Sequence, residues 1–246
     1  APTPDLGYRV RVRLVVDGGR LGYAGARSHR RVAVSHCAVL HPQLDHVLFT
    51  KLQPLAGLLG EAAEVRGLCI GEPAQVQLAI DSGRGAQRKA IRTALLALCA
   101  EQVIRGAILD EERLGDADLA VSTSGLGELR LSADGFAQAS AAGHDILPRL
   151  VADAVLSIDA GDGSNSVRPR WPRLLELYAG SGNLTRALRA CADFVVCIEG
   201  DPQAAARLSR LSAAWNSGGV AVEVIADPVE QALADCLRQG ERFPVL

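Results

Sequence analysis

The chain has 246 residues, of which 48% are hydrophobic, and a formal net charge of −2. That length supplies material for one large or two modest cores. The near-neutral charge excludes a global electrostatic signature of nucleic-acid binding, and no apolar run is long enough to span a membrane.

Tyr8 to Val16 alternates strictly, with Arg9, Arg11 and Arg13 on one face and Val10, Val12 and Leu14 on the other. That pattern predicts a strand with one wet face. Asp17-Gly18-Gly19 is a hairpin signal, and Leu21 to Tyr23 begins the return strand. Arg27, Arg30 and Arg31 follow, while Asp5 and Asp17 are the acids among residues 1–36. This surplus of arginine fits a phosphate-contacting surface and equally a solvated strand face. Val32 to Val34 is a brief strand. Pro42 opens a predicted helix to about Leu59, with Leu44, Val47, Leu48, Leu52 and Leu55 as its apolar stripe. Val65 to Ile70 and Gln75 to Ile80 read as paired strands around Gly71-Glu72-Pro73. A helix from about Ala86 to Cys99, a strand near Val103 to Leu109 and an acidic loop from Asp110 to Asp118 follow. The first part is therefore α+β, with mostly antiparallel strands.

Glu128 to Leu131 is a strand entering Ser132-Ala133-Asp134-Gly135-Phe136-Ala137-Gln138-Ala139-Ser140, and a helix runs from about Ala139 to Leu156. Asp159 to Pro172 is polar and rich in Gly, Ser and Pro, hence a loop. Leu174, Leu175 and Leu177 then form a short strand leading into Gly180-Ser181-Gly182. A helix is predicted to start near Asn183, a good capping residue, with Leu184, Leu188 and Cys191 on one face. Phe194 to Ile198 is an unbroken apolar run, as in a parallel strand covered on both faces. Pro202 begins a helix to about Trp215, Val220 to Ile225 is a strand, and Asp227 lies at its end ahead of a helix from about Pro228.

Such a βαβ unit binds ligands at the carboxyl ends of its strands. The third position of a dinucleotide G-x-G-x-x-G fingerprint is occupied by Thr185, and Glu176 stands four residues before Gly180. A carboxylate there would repel a diphosphate and attract a cationic sulfonium and its ammonium group. Glu199, after the second strand, can accept both hydroxyls of a ribose, and Asp227 can accept from an adenine amino group. The E-x-x-x-G-x-G…E arrangement looks like the S-adenosylmethionine site of a class I methyltransferase. An ordinary glycine turn is the alternative, and the two placed acids favour the cofactor.

Six cysteines (37, 69, 99, 191, 197 and 236) lie in apolar contexts without C-x-x-C spacing, so reduced thiols are expected. With no signal peptide in view the sequence reads as cytoplasmic. It contains no methionine and stops at Phe243-Pro244-Val245-Leu246, in what reads as the start of a further strand. A segment of a longer protein is the expectation.

Several separated stretches agree on one family: GYRVRVRL, VSHCAVLHPQLD, LSADGFAQAS, LLELYAGSGNLT, VVCIEGDPQA and WNSGG, in that order. Together they resemble the RNA (uracil-5-)-methyltransferases, which use S-adenosylmethionine on ribosomal or transfer RNA. The resemblance implies an incomplete Rossmann-like methyltransferase domain (132–246) preceded by an α+β central domain that contacts RNA (1–131). It implies cofactor contacts from Tyr178, Asn183 and Glu199, with Gly180 and Gly182 allowing close approach. It places Gln138 near cofactor and target base, and Asp227 less securely on the cofactor. Cys37 matches the last of four cysteines that hold a [4Fe–4S] cluster in many members; its three partners would lie upstream of Ala1. One thiolate cannot hold such a cluster, so Cys37 here is expected to be an unliganded thiol. Ser140 stands where asparagine is usual.

In the family a cysteine thiolate adds to carbon 6 of uracil, carbon 5 attacks the sulfonium methyl, and a base then removes the carbon-5 proton. The nucleotide is flipped out for this. The D-P-P motif, the nucleophilic cysteine and the general-base glutamate would all fall beyond Leu246, so no catalytic residue is assigned here. The expected activity is methyl transfer to carbon 5 of an RNA uridine, with ribosomal RNA ahead of transfer RNA. The alternatives are a methyltransferase on another substrate and a non-catalytic RNA- or cofactor-binding remnant.

Overall fold

The computed structural model describes residues 5–25, 30–116, 118–123, 125–158, 170–216 and 221–244. Its contacts form two compact units, unit 1 being Ala1–Val121 with Leu131–Ala142 and unit 2 being Ser122–Arg130 with Gly143–Leu246. The α/β class predicted from the sequence is what the structure has.

Unit 1 is built on β1 (Arg11–Asp17), β2 (Arg20–Ala24), β3 (Arg31–Ala33), β4 (Glu64–Ile70), β5 (Gln75–Asp81), β6 (Gly106–Leu109) and β7 (Glu112–Gly115). They form one sheet in the order β3-β2-β1-β4-β5-β6-β7. Neighbours are antiparallel except β5 and β6, which the helix α3 (Arg88–Ala100) connects. The alternation in β1 does what its period requires: Val12, Leu14 and Val16 join the core while Arg13 stays exposed. Gly18 and Gly19 take φ of +56° and +70°, the geometry a two-residue hairpin turn matching strand twist demands.

The stretch from Pro42 to Leu59 is helical but is not one α-helix. It runs as α1 (Pro42–His46), a π-helical turn (Val47–Leu52), a 3₁₀ turn (Gln53–Leu55) and α2 (Ala56–Leu59). Pro54 is the cause: it has no N–H to donate and its ring crowds the carbonyl one turn back, so the ladder shifts register around it. The stripe still works, since Leu44, Val47, Leu48 and Leu52 are all buried. The predicted acidic loop from Asp110 to Asp118 is another correction, because Glu112–Gly115 pairs with β6. A tight turn with Asp110 at φ +56° makes the return. A non-glycine residue in that region hid the hairpin.

A hairpin of β8 (Leu119–Thr123) and β9 (Gly127–Leu131) follows, and only its second strand is predicted from the sequence. The helix α4 (Ala141–Leu156) comes next. Unit 2 is organised on a parallel sheet, β10 (Leu174–Leu177), β11 (Phe194–Ile198) and β12 (Ala221–Ile225), in that order. The connecting helices are α5 (Thr185–Leu188) and α6 (Pro202–Asn216), and α7 (Val229–Arg238) follows β12. One face buries Leu174, Val195 and Cys197 with Leu208; the other buries Leu175, Val196 and Ile198 with Val229 and Ala232. Burial on both faces explains why β11 is apolar without alternation.

The helix predicted from Asn183 is the main correction in this unit. Residues 180–184 form turns, and α5 is only four residues long. Leu188 and Cys191 are buried as expected, but the chain leaves the helix early so that Trp171 can bridge to Ala192. Phe243 and Pro244 are outside any strand; Phe243 packs beside Leu175 and Val196, with the Arg173 guanidinium 4.8 Å from its ring centroid. Arg27, most of the 159–172 loop, Ser217-Gly218-Gly219 of WNSGG with Val220, and Val245 and Leu246 lie outside the described residues. No helix among the described residues is long and apolar enough to cross a membrane.

Candidate cofactor and nucleic-acid sites

The glycine loop begins where β10 ends. Tyr178 has φ +55°, unusual for a bulky residue, and Ala179 N–H donates to the Ile198 carbonyl at 3.1 Å. The loop therefore starts tied to the end of β11. Gly180 and Gly182 follow at φ +60° and +91°, but they serve different needs. A Cβ on Gly180 would meet nothing within 4 Å, whereas one on Gly182 would lie 2.6 Å from Leu208 Cδ1. Gly180 has the open side that a ligand can approach. Gly182 is small where Leu208 of α6 packs against the loop.

Glu199 follows β11, half-buried. Its Oε2 accepts the Gly180 N–H at 2.6 Å and its Oε1 accepts the Asp201 N–H at 2.7 Å. A carboxylate has about four lone-pair sites, so two remain for an outside donor pair such as a ribose diol. Asp201 in turn accepts the N–H groups of Gln203 and Ala204 and caps α6. Asp227 is exposed at the carboxyl end of β12. Tyr178 is 67% exposed, and its hydroxyl donates to Glu230 at 3.2 Å, a carboxylate that raises the phenol's pKa. Tyr178, Gly180, Glu199 and Asp227 thus gather at the carboxyl edge of the parallel sheet. The carboxylate acceptors and open space there fit the hydroxyl and amino donors of an adenosyl group.

Two expectations at this edge are corrected. Glu176 is not displayed to a ligand: it is 6% exposed, opposite Cys197 in register. It accepts the Thr185 hydroxyl at 2.7 Å and the Cys197 thiol at 3.7 Å. Burial pushes its carboxyl up to about 7 against hydrogen bonds from the Thr185 hydroxyl, the Cys197 thiol and the Thr185 backbone, with the Glu199 charge adding to the rise. Asn183 does not cap α5, whose N-cap is Leu184 without a side-chain cap. Its Oδ1 instead accepts from the buried Arg186 guanidinium at 2.8 Å, which also donates to the His144 carbonyl at 2.9 Å.

Unit 1 brings together two stretches that sequence spacing kept apart. Val10 N–H donates to the Ala139 carbonyl at 2.8 Å, and Arg9 bridges to Ser140. The segment carrying half-buried Gln138 therefore lies along the start of the arginine strand. Arg11 donates to the Gly135 carbonyl at 3.1 Å and sits 5.5 Å from the centre of the Phe136 ring, which is 70% exposed. Burial, then Arg66, Arg13 and Arg9, lower the Arg11 pKa. Arg13 is ion-paired with Glu64, and the exposed Arg9 donates to the Arg11 carbonyl at 3.0 Å. Gln138 belongs to unit 1 and the glycine loop to unit 2.

Cys37 is half-buried, its sulfur accepting the Tyr23 hydroxyl at 3.2 Å. Among the described residues no group of three or more His, Cys, Asp or Glu could hold a metal ion. An iron–sulfur cluster does not fit these side chains.

No protein-family model and no curated protein matches the chain. Solved structures do. The tRNA (uracil-54, C5)-methyltransferase of Pyrococcus abyssi, solved with S-adenosyl-L-homocysteine, is similar with a TM-score of 0.62 and 13% identity over 93% of this chain and 57% of that one. The likeness is one of fold. The chain spans little more than half the length of that protein. A SAM-dependent methyltransferase from Agrobacterium tumefaciens has a TM-score of 0.39 at 13% identity over 75% and 55% of the two chains. The tRNA m1G37 methyltransferase of M. jannaschii has 0.39 at 14% over 62% and 46%. Both are too distant to argue from.

Three residues of these sites, Thr185, Glu230 and Phe136, are not among those predicted from the sequence. Thr185 carried a signal, standing where a dinucleotide loop keeps its third glycine. Phe136 carried one too, as an aromatic flanked by Gly and Ala next to Gln138. Glu230 carried none, because its contact with Tyr178 spans 52 residues.

Proposed function

We propose that the chain is the cofactor-holding and RNA-contacting part of an S-adenosylmethionine-dependent methyltransferase that modifies carbon 5 of a uridine in RNA. The observation that carries this reading is Glu199 bound to the Gly180 N–H, with lone pairs left over and the open side of Gly180 next to them. The motifs shared with the uracil-5 family support it, as does the fold shared with an enzyme that acts on uracil 54 of tRNA. When bound, the cofactor supplies a methyl group on a cationic sulfur.

The chain's own residues do the holding. Glu199 accepts the ribose hydroxyls, Tyr178 offers an exposed ring at the strand end, and Asp227 accepts from the adenine amine. Asn183 contributes from the loop through the oxygen and nitrogen that Arg186 orients. Arg9, Arg11 and Arg13 meet RNA phosphates, with Phe136 offering a face for a base and Gln138 an amide for its edge. We place no nucleophile on this chain. Burial pushes the Cys69 thiol up to about 12 and raises Cys191 and Cys197 as well, and the thiolate is the reactive form.

Calorimetric titration with S-adenosylmethionine, S-adenosylhomocysteine and NAD tests the reading. Saturable binding of the first two, weakened at least tenfold in Glu199→Ala, is the expected result. Preference for NAD would overturn it. Methyl transfer to uridine in ribosomal and in transfer RNA fragments, assayed side by side, decides between the RNA classes; ribosomal RNA is the one the proposal ranks first.

A further inference from the structure

Among the described residues Glu176 is a carboxyl group without a counter-charge. It sits on β10 on the same face as Cys197 and reaches forward to the Thr185 hydroxyl, so that its hydrogen bond closes the base of the loop from Tyr178 to Leu184. Among the described residues no Lys, Arg or His lies within ion-pair distance of it. The groups facing it are the Thr185 hydroxyl on α5, the Cys197 thiol on β11 and, beyond β11, the Glu199 carboxylate. Burial raises the Cys197 thiol well above its ordinary value, and Glu176 adds to that rise, so this neighbour is neutral. The Glu199 charge opposes a second one on Glu176. A buried carboxyl in such surroundings keeps its proton unless a positive charge arrives nearby.

The loop it closes is the one assigned above to the cofactor, and the inference rests on that reading. The two ligands of a methyltransferase differ by one charge: the methyl donor is a sulfonium, and the demethylated product is a neutral thioether. We propose that Glu176 is a specificity-determining residue that distinguishes the charged methyl donor from the neutral product by giving up its proton when the sulfonium binds and keeping it when the thioether does. The balance is simple. On donor binding the Glu176 O–H bond breaks, its electron pair stays on the carboxylate, and the proton passes to solvent. After methyl transfer leaves the thioether, a proton returns from solvent and the uncompensated anion is relieved. Donor binding is thereby strengthened as pH rises towards neutrality, while product binding is not.

The test is calorimetric titration of the protein with S-adenosylmethionine and with S-adenosylhomocysteine at about pH 6, each in two buffers of different ionisation enthalpy. The expected result is release of close to one proton per sulfonium bound and close to none per thioether. Between about pH 5 and pH 7 the ratio of the two dissociation constants moves towards the donor by up to about tenfold per pH unit. In Glu176→Gln both the release and the pH dependence of the ratio vanish. Equal proton release by the two ligands, or donor binding without release, overturns the proposal and leaves the cofactor reading standing. Absence of binding by either ligand to the wild-type chain removes the cofactor reading and the proposal with it. The wild-type titrations decide the matter even where Glu176→Gln does not fold. Thr185→Val, which removes the hydroxyl donor, is expected to leave donor-linked proton release in place.

Discussion

Glu199 Oε2 accepts the backbone N–H of Gly180 at 2.6 Å, joining the end of β11 to the turn that follows β10. This bond sets the shape of the carboxyl edge before any ligand arrives. Hydrogen bonds to a charged acceptor contribute about 1.5–3 kcal/mol each. Glu199→Gln, which keeps the shape and loses the charge, is expected to weaken cofactor binding roughly tenfold; Glu199→Ala should weaken it further. Titration of both variants checks the order.

The two glycines separate packing from ligand access. Gly182→Ala puts a methyl group 2.6 Å from Leu208 Cδ1 at φ +91°, so overpacking and backbone strain add, at about 1–3 kcal/mol each. Gly180→Ala meets open space and carries only the cost of its positive φ, about 1–2 kcal/mol. Denaturant unfolding is expected to show Gly182→Ala as the less stable variant. Gly180→Ala is expected to lose more cofactor affinity than its stability accounts for.

Burial of Glu176 makes unit 2 less stable as pH rises. Its folded pKa is raised to about 7, against about 4.3 unfolded. Below about pH 4 both states hold the proton and the contribution is fully present. Between about 4 and 7 the unfolded chain releases its proton first and the folded state loses ground; above 7 the loss is complete, at roughly 4 kcal/mol. Unfolding midpoints at pH 5 and pH 8 are expected to converge in Glu176→Gln relative to wild type.

On the proposed reading, the arginine face of unit 1 meets RNA through charge and not through base identity. Arg9→Ala with Arg11→Ala is expected to weaken RNA binding about equally for unrelated sequences. The same double change is expected to flatten the salt dependence by about 0.7 for each phosphate no longer neutralised. Arg13→Ala is expected to do less, because Glu64 already holds that guanidinium. Binding measured across a salt series gives both quantities.

Periodicity made most elements legible. The alternation around Val12 and Leu14 is dictated by one buried face, and the unbroken run from Phe194 to Ile198 by two. What the pattern could not show was where the backbone departs from it. Pro54 turned one predicted helix into four pieces, Asp110 made a hairpin in a left-handed conformation without glycine, and the loop after Tyr178 left only one turn of α5. At the site, residue type and spacing placed Gly180, Glu199 and Asp227 at one edge. They misplaced Glu176, because a carboxylate beside a glycine loop looks available until the Thr185 hydroxyl and Cys197 are seen to enclose it. The contact of the Gln138 segment with the arginine strand spans more than 120 residues, and no local pattern encodes it.

The most direct test of the account is a crystal structure of the chain with S-adenosylhomocysteine. The account predicts ribose hydroxyls on the Glu199 carboxylate and the thioether over the open side of Gly180. A ligand seated elsewhere, or a Glu199 carboxylate that keeps its two backbone partners and touches no ribose, would contradict it.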